Sequence, residues 1–225
     1  DTPFSTLTAR DVQSFRDALA GLGISAPFYI SQNDGTLMSA EFVEKYPVLT
    51  FASGPTNSMR GAAFLSGLKD AVVVDIGGTT SDVGVLSQGF PREASVAVRI
   101  GGVRTNFRMP DVLSFGLGGG SHVKQEPLQV GPQSVGYEIT TRALVFGGND
   151  LTTTDIAVAA GMVEIGDKSR VAHLDKELVK NALARMWEMI ELSVDRMKTQ
   201  AGGVPVILVG GGIILVGDSL NGVSE

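Results

Sequence analysis

From Val72 the chain runs through three valines into Asp75, turns through Gly77-Gly78-Thr79-Thr80, and leaves through Ser81 and Asp82 as a second apolar alternation ending near Leu86. Glycines remove the Cβ atoms that would block a phosphate and permit unusual backbone angles, so consecutive amides can converge on an anion while the hydroxyls add donors. Asp75 and Asp82 supply hard oxygens suited to a hydrated magnesium ion or to positioning an attacking water. Two better-known glycine motifs fail on particular residues. The Walker pattern needs a lysine, and none occurs between Asp75 and Leu86. The dinucleotide fingerprint needs a third glycine opening a helix, whereas Asp82-Val83-Gly84-Val85-Leu86 alternates like a strand. A plain hairpin turn is the alternative reading of the same spacing.

Two further glycine clusters need a reason. Gly118-Gly119-Gly120-Ser121 is costly as plain strand, since each interior glycine loses about 0.5–1 kcal/mol against alanine. It reads either as a second anion-binding nest beside the Asp75 turn or as a bulge or tight backbone crossing. Gly210-Gly211-Gly212 follows an apolar strand over Val204–Val209. Asp111 is a lesser candidate site acid, and Asp155, after three threonines, suits a helix cap. His122 follows the glycine triplet and either lines a site or serves structure; His173 precedes a helix and reads as solvated.

The Asp75 segment resembles the second phosphate loop of the actin/hexokinase-like ATPase superfamily, and the wider chain is similar to the hydantoinase A/oxoprolinase family within it. The matching stretches are Phe28 to Ala40, Ser53-Gly54-Pro55, the Asp75 hairpin, Gly116 to Ser121, Val130 to Ser134, and Thr153-Thr154-Asp155. The resemblance implies an α/β fold, a ribonuclease H-like actin/hexokinase-type core with a mixed sheet and flanking helices. It implies ATP and Mg2+, with Gly77, Gly78, Thr79 and Thr80 on the phosphates. Gly118, Gly119, Gly120 and Ser121 would add a second cradle, and Gly210, Gly211 and Gly212 would lie under the adenosine. Asp75 and Asp82 would hold metal or position water, and Asp155 would be a further metal-facing acid. The implied reaction phosphorylates the amide oxygen of a cyclic amide such as hydantoin or 5-oxoproline, which activates its carbonyl for ring opening by water. A hydantoinase B-like partner subunit and a cytoplasmic location go with that reading. A nucleotide-binding regulatory or assembly subunit is the alternative. Beyond Ser134 the chain departs from many family members, reading Val135-Gly136-Tyr137-Glu138-Ile139 where they carry a proline- and cysteine-containing stretch, so the substrate is expected to differ.

The family carries an earlier Asp-Gly-Gly-Thr loop in an N-terminal half, and this chain has a single such loop. The expectation is therefore a segment: residues 1–68 as connecting helices and a strand from the end of the first half, and 69–225 as the second ATPase-like domain. Within it, Thr8 to Leu22 reads as an amphipathic helix, 27–31 as a strand, Asn33-Asp34-Gly35 as a turn, and Ser39 as the cap of a short helix. Ser53-Gly54-Pro55 reads as the capped start of a small-faced helix running to about Leu68, with an anion-binding role for its amides as the other reading. Strands are expected near 71–75, 82–87 and 93–100, as a three-stranded meander. One long helix spans Asp175 to Ala201, with Val179, Ala182, Met186, Ile190 and Val194 on one stripe, while Trp187 sits off it.

A formal charge of −6 argues against a nucleic-acid surface, which needs clustered lysine and arginine. Zero cysteines excludes disulfides and thiolate chemistry, and two histidines make a zinc cluster hard to build. The most apolar stretch, Val204 to Val216, is about half a bilayer span and is broken by glycines, so no membrane partner is expected.

Overall fold

The computed structural model describes residues 3–95, 99–100, 103–104, 107–198 and 203–217. Helix α1 (Pro3–Gly21) leads through the hairpin β1 (Tyr29–Ser31) and β2 (Leu37–Ser39) into α2 (Ala40–Lys45), where Ser39 accepts from the Phe42 amide as the sequence predicts. Val12, Met38, Ala40 and Val43 bury a small core of their own between these elements. Helix α3 (Ser53–Ser66) follows, but Ser53 is its first helical residue rather than its cap. Ala52 occupies the cap position at φ 59°, with no side-chain bond to the helix.

The main sheet starts with β3 (Ala71–Ile76) and β4 (Ser81–Ser87), paired antiparallel so that Asp75 stands opposite Asp82. Three consecutive valines in β3 suit a strand buried on both faces. The next strand, β5 (Phe90–Pro91), pairs with the end of β4 and stops at Pro91, which has no amide to donate onward. The strand expected over 93–100 is not the sheet's third. Glu93 makes only an isolated bridge to Pro110; β6 (Arg99–Ile100) pairs with β7 (Val103–Arg104) as a separate ribbon; residues 96–98 lie outside the described chain. The place is taken instead by β8 (Val112–Phe115), antiparallel to β4.

Strands β9 (Ser121–Lys124) and β10 (Gln129–Ser134) form a second hairpin, followed by the one-turn helix α4 (Ile139–Arg142) and by α5 (Thr153–Ala159). The long helix α6 (Lys176–Met197) begins at Asp175, whose carboxylate accepts from the Glu177 and Leu178 amides at 2.8 and 3.0 Å. The last strand, β11 (Val206–Val209), lies parallel to β3, which makes the sheet mixed, in the order β11-β3-β4 with β8 and β5 sharing the far edge of β4. Alternate β3 residues face opposite layers. Val72, Val74 and Ile76 join Ala182, Met186 and Ile190 of α6, while Ala71 and Val73 pack with Met59 and Ala62 of α3. Helix α3 thus covers a face of the main sheet, although the sequence groups it with the connecting segment. Among the described residues no helix is long and apolar enough to cross a membrane.

Candidate functional site

The end of the sheet where β3 and β11 finish carries the candidate site. In a two-stranded ladder, directly opposed residues share a face. Asp75 lies opposite Asp82, and Asp82 lies opposite Ser114 of β8, so the three form a row across three strands. Both acids are half-buried. The Ser114 hydroxyl donates to Asp82 Oδ1. Burial pushes the Asp82 carboxyl up from its ordinary value, the Ser114 hydrogen bond opposes this, and the negative charge of Asp75 adds to the rise.

Beyond the acids the hairpin turns. Gly77 N donates to Thr80 O at 2.9 Å, closing the turn, while Gly78, Thr79 and Thr80 are exposed. Their three amides have no hydrogen-bond acceptor among the described residues. A row of unspent donors at the carboxyl end of a mixed sheet is what an anion-binding turn requires.

The other two glycine clusters converge on this turn. A Cβ on Gly118 would lie 2.5 Å from Thr79 N, 2.6 Å from Gly78 C and 2.7 Å from Gly77 O, all of them backbone. The triplet is therefore a tight crossing, and its amides are already used: Gly119 N donates to Gly77 O at 3.0 Å, Gly120 N to Gly78 O at 2.7 Å, and Gly118 N to Ser121 Oγ at 2.9 Å. This corrects the reading of Gly118 to Ser121 as a second phosphate cradle, because donors spent on the hairpin are not free for an anion. Gly210 (φ 90°) would strike Asp75 Oδ1 and Ile76 O if it carried a Cβ, and Gly212 is packed on Ile76. Gly211 is open to solvent with nothing close to its missing Cβ.

Asp155 is likewise corrected. It is fully buried, and its carboxylate accepts from Thr152 N, Thr152 Oγ1, Val145 N and Leu144 N at 2.7–3.3 Å. Those donors form a capping box plus an anchor on the 144–146 turn, which leaves no open face for a metal. Its neighbours carry the support onward, since Thr153 Oγ1 donates to Gly118 O and Gly119 O, and Thr154 Oγ1 to Gly119 O. Asp111 is paired with Arg92 at 2.7 Å, and His122 lies 3.9 Å from Asp150, away from the acid row in register. His173 is exposed. Trp187 donates its indole N–H to Leu215 O at 3.0 Å, sealing the turn after the last glycines.

Sequence reading missed Ser114, whose register becomes visible only once β8 is placed beside β4, and Gly84, where a Cβ would meet Met59 Sδ at 2.6 Å. An alternation Val112-Leu113-Ser114-Phe115 just before the glycine triplet was the available signal.

Asp75 and Asp82 fit a magnesium ion. The ion is commonly held by one or two carboxylates, with water and substrate phosphates completing its shell, and a cation would relieve the like-charge repulsion at Asp82. Among the described residues no cluster of three or more acidic, histidine or cysteine side chains forms a self-sufficient cage.

A mixed sheet with helices on both faces makes this an α/β protein with an actin/hexokinase-like fold. Two solved structures share this fold: an ATP-dependent caprolactamase from Pseudomonas jessenii (TM-score 0.60, 20% identity, 93% of this chain and 34% of that one) and a nucleotide-free acetone carboxylase (TM-score 0.57, 20% identity, 84% and 28%). The hydantoinase/oxoprolinase family model matches residues 4–207, and the chain belongs to that family. It is 30% identical over 160 residues to the acetophenone carboxylase gamma subunit of Aromatoleum aromaticum, covering 68% of this chain and 22% of that protein. It is 27% identical over 200 residues to the caprolactamase alpha subunit of Pseudomonas jessenii, covering 85% and 29%. The chain thus spans less than a third of the length of these relatives.

Proposed function

We propose that this chain forms one wall of the nucleotide site of an ATP-dependent enzyme that opens cyclic amides by phosphorylating the amide oxygen. The observation that carries the reading is the exposed turn with the three unspent amides of Gly78, Thr79 and Thr80, bracketed by Asp75 and Asp82. Charge grows on phosphate oxygens during transfer, and donors held rigid beforehand lower the barrier because they need not reorganise. The crossing at Gly118 supplies that rigidity. Magnesium bound with the nucleotide would neutralise phosphate charge. Asp75 and Asp82 would hold that ion through water or directly, and the Gly210 to Gly212 turn, packed against Asp75 and Ile76, would lie beside the nucleoside.

Support for a cyclic amide comes from the caprolactamase relative, and support for an ATP-dependent reaction from the two solved structures of the same fold, both of ATP-dependent enzymes. The acetophenone and acetone carboxylase relatives support a second substrate class, a ketone, whose carbonyl-derived oxygen could accept the same phosphoryl group. The acetophenone carboxylase gamma and caprolactamase alpha relatives are both subunits, which supports assembly with a partner chain. The test is phosphate release by the full protein, with its partner subunit, Mg2+ and ATP, against lactams, hydantoin, 5-oxoproline and simple ketones with bicarbonate. Release that depends on a cyclic amide and matches ring opening supports the reading; release only with ketones moves the substrate to the second class. Nucleotide binding without release under any condition supports a regulatory subunit.

A further inference from the structure

We propose that Ser114 is a positioning residue that fixes the Asp82 carboxylate by one oxygen so that the other is presented to the metal or water beside Asp75; the inference rests on the function proposed above. Ser114 stands directly opposite Asp82 in the β4–β8 ladder, and its hydroxyl donates to Asp82 Oδ1. Asp82 Oδ2 and both oxygens of Asp75 have no hydrogen-bond donor among the described residues. The row is therefore divided into one tethered oxygen and three without a hydrogen-bond donor, and the tether fixes which oxygen of Asp82 keeps its lone pairs unused.

Ser114 has little other work. It is exposed, while its neighbours Leu113 and Phe115 pack against the main core, and the three other ladder pairs, Ser81–Phe115, Val83–Leu113 and Gly84–Val112, set the register of β8 without it. Outer hydrogen bonds that orient a metal-binding carboxylate typically govern metal affinity or activity by 10–100-fold.

The test compares wild type, Ser114→Ala, Ser114→Thr and Asp82→Asn in the full protein. Mn2+ binding in the presence of ATP is followed by electron paramagnetic resonance, and kcat and KM are measured with the best cyclic amide found. The expected result for Ser114→Ala is about tenfold weaker Mn2+ binding and about tenfold lower kcat, with KM for the amide and the unfolding temperature unchanged; Ser114→Thr, which keeps the hydroxyl, restores both. Wild-type Mn2+ affinity and kcat in Ser114→Ala, while Asp82→Asn is impaired, overturns the role of Ser114 alone. Unimpaired Asp82→Asn overturns the functional reading beneath it. A fall in unfolding temperature that accounts for the lost activity, without rescue by threonine, overturns positioning in favour of a structural role.

Discussion

Asp82 carries a conflict that its surroundings do not resolve. It is half-buried, faces Asp75, and is held by a neutral hydroxyl rather than by a cation. A carboxyl whose folded-state pKa is raised stabilises the fold below its unfolded value and loses that contribution as pH rises through the folded value. At neutral pH the ionised side chain is therefore a cost, accepted where a charge is needed. Asp82→Asn is expected to raise the unfolding temperature of the magnesium-free protein while removing turnover, by calorimetry and phosphate release; a lower unfolding temperature would show that the charge is not a burden. The same sign sets the rate profile: if ionised Asp82 is required, the acid limb of kcat/KM is displaced upward from the ordinary value of an aspartate carboxyl, because burial raises Asp82. Asp155 is the contrast, with four donors on its carboxylate and none to spare. Asp155→Ala strands several of those donors in the interior and is expected to cost about 2–4 kcal/mol of stability by denaturant titration. An effect on magnesium affinity without loss of stability would restore it as a metal ligand.

At the scale of elements, the hairpin is shaped by its supports. The α5 start holds the glycine triplet, the triplet holds the hairpin, and the 210–212 turn closes on Asp75. Gly118→Ala would drive a methyl into the backbone of three residues at the tip, which cannot rotate away, so a loss of about 1–3 kcal/mol and of nucleotide affinity is expected. Gly78→Ala, with nothing within 4 Å of the added carbon, is expected to stay within about 0.5 kcal/mol of wild type and serves as the control. Equal stability of the two variants in urea would contradict the crossing. These supports explain what was legible beforehand. The β3–β4 hairpin, the α2 cap, the long helix and the last strand follow from local pattern, and each stands close to its expected bounds. The use of Gly118 to Gly120 and Asp155 did not, because a glycine triplet and an acid after threonines are written alike whether their hydrogen bonds go to a ligand or to a neighbouring loop. The third strand was misplaced for a related reason: alternation marks a strand but does not name its partner, and Pro91 ends the local pairing, so β4 takes β8 from farther along the chain.

At the scale of the whole molecule, the exposed Gly78–Thr80 turn lies at one end of the sheet, and the chain spans 22–29% of the length of the curated relatives it matches. A nucleotide held by this turn, as proposed above, needs further walls besides it. Binding energy at the turn should then appear as stability of the complete protein. At a hundred times its Kd, Mg·ATP stabilises a folded state by about 2.7 kcal/mol, so a clear thermal shift is expected for the full protein, and none for Asp75→Asn at the same concentration. An equal shift in both would place nucleotide binding away from the acid row.

The most direct test is a crystal structure of the full protein with Mg2+ and a non-hydrolysable ATP analogue. The account predicts phosphate oxygens within hydrogen-bond distance of the Gly78, Thr79 and Thr80 amides, with the metal between them and the Asp75–Asp82 pair. Phosphates bound elsewhere, with these amides still facing water, would contradict it.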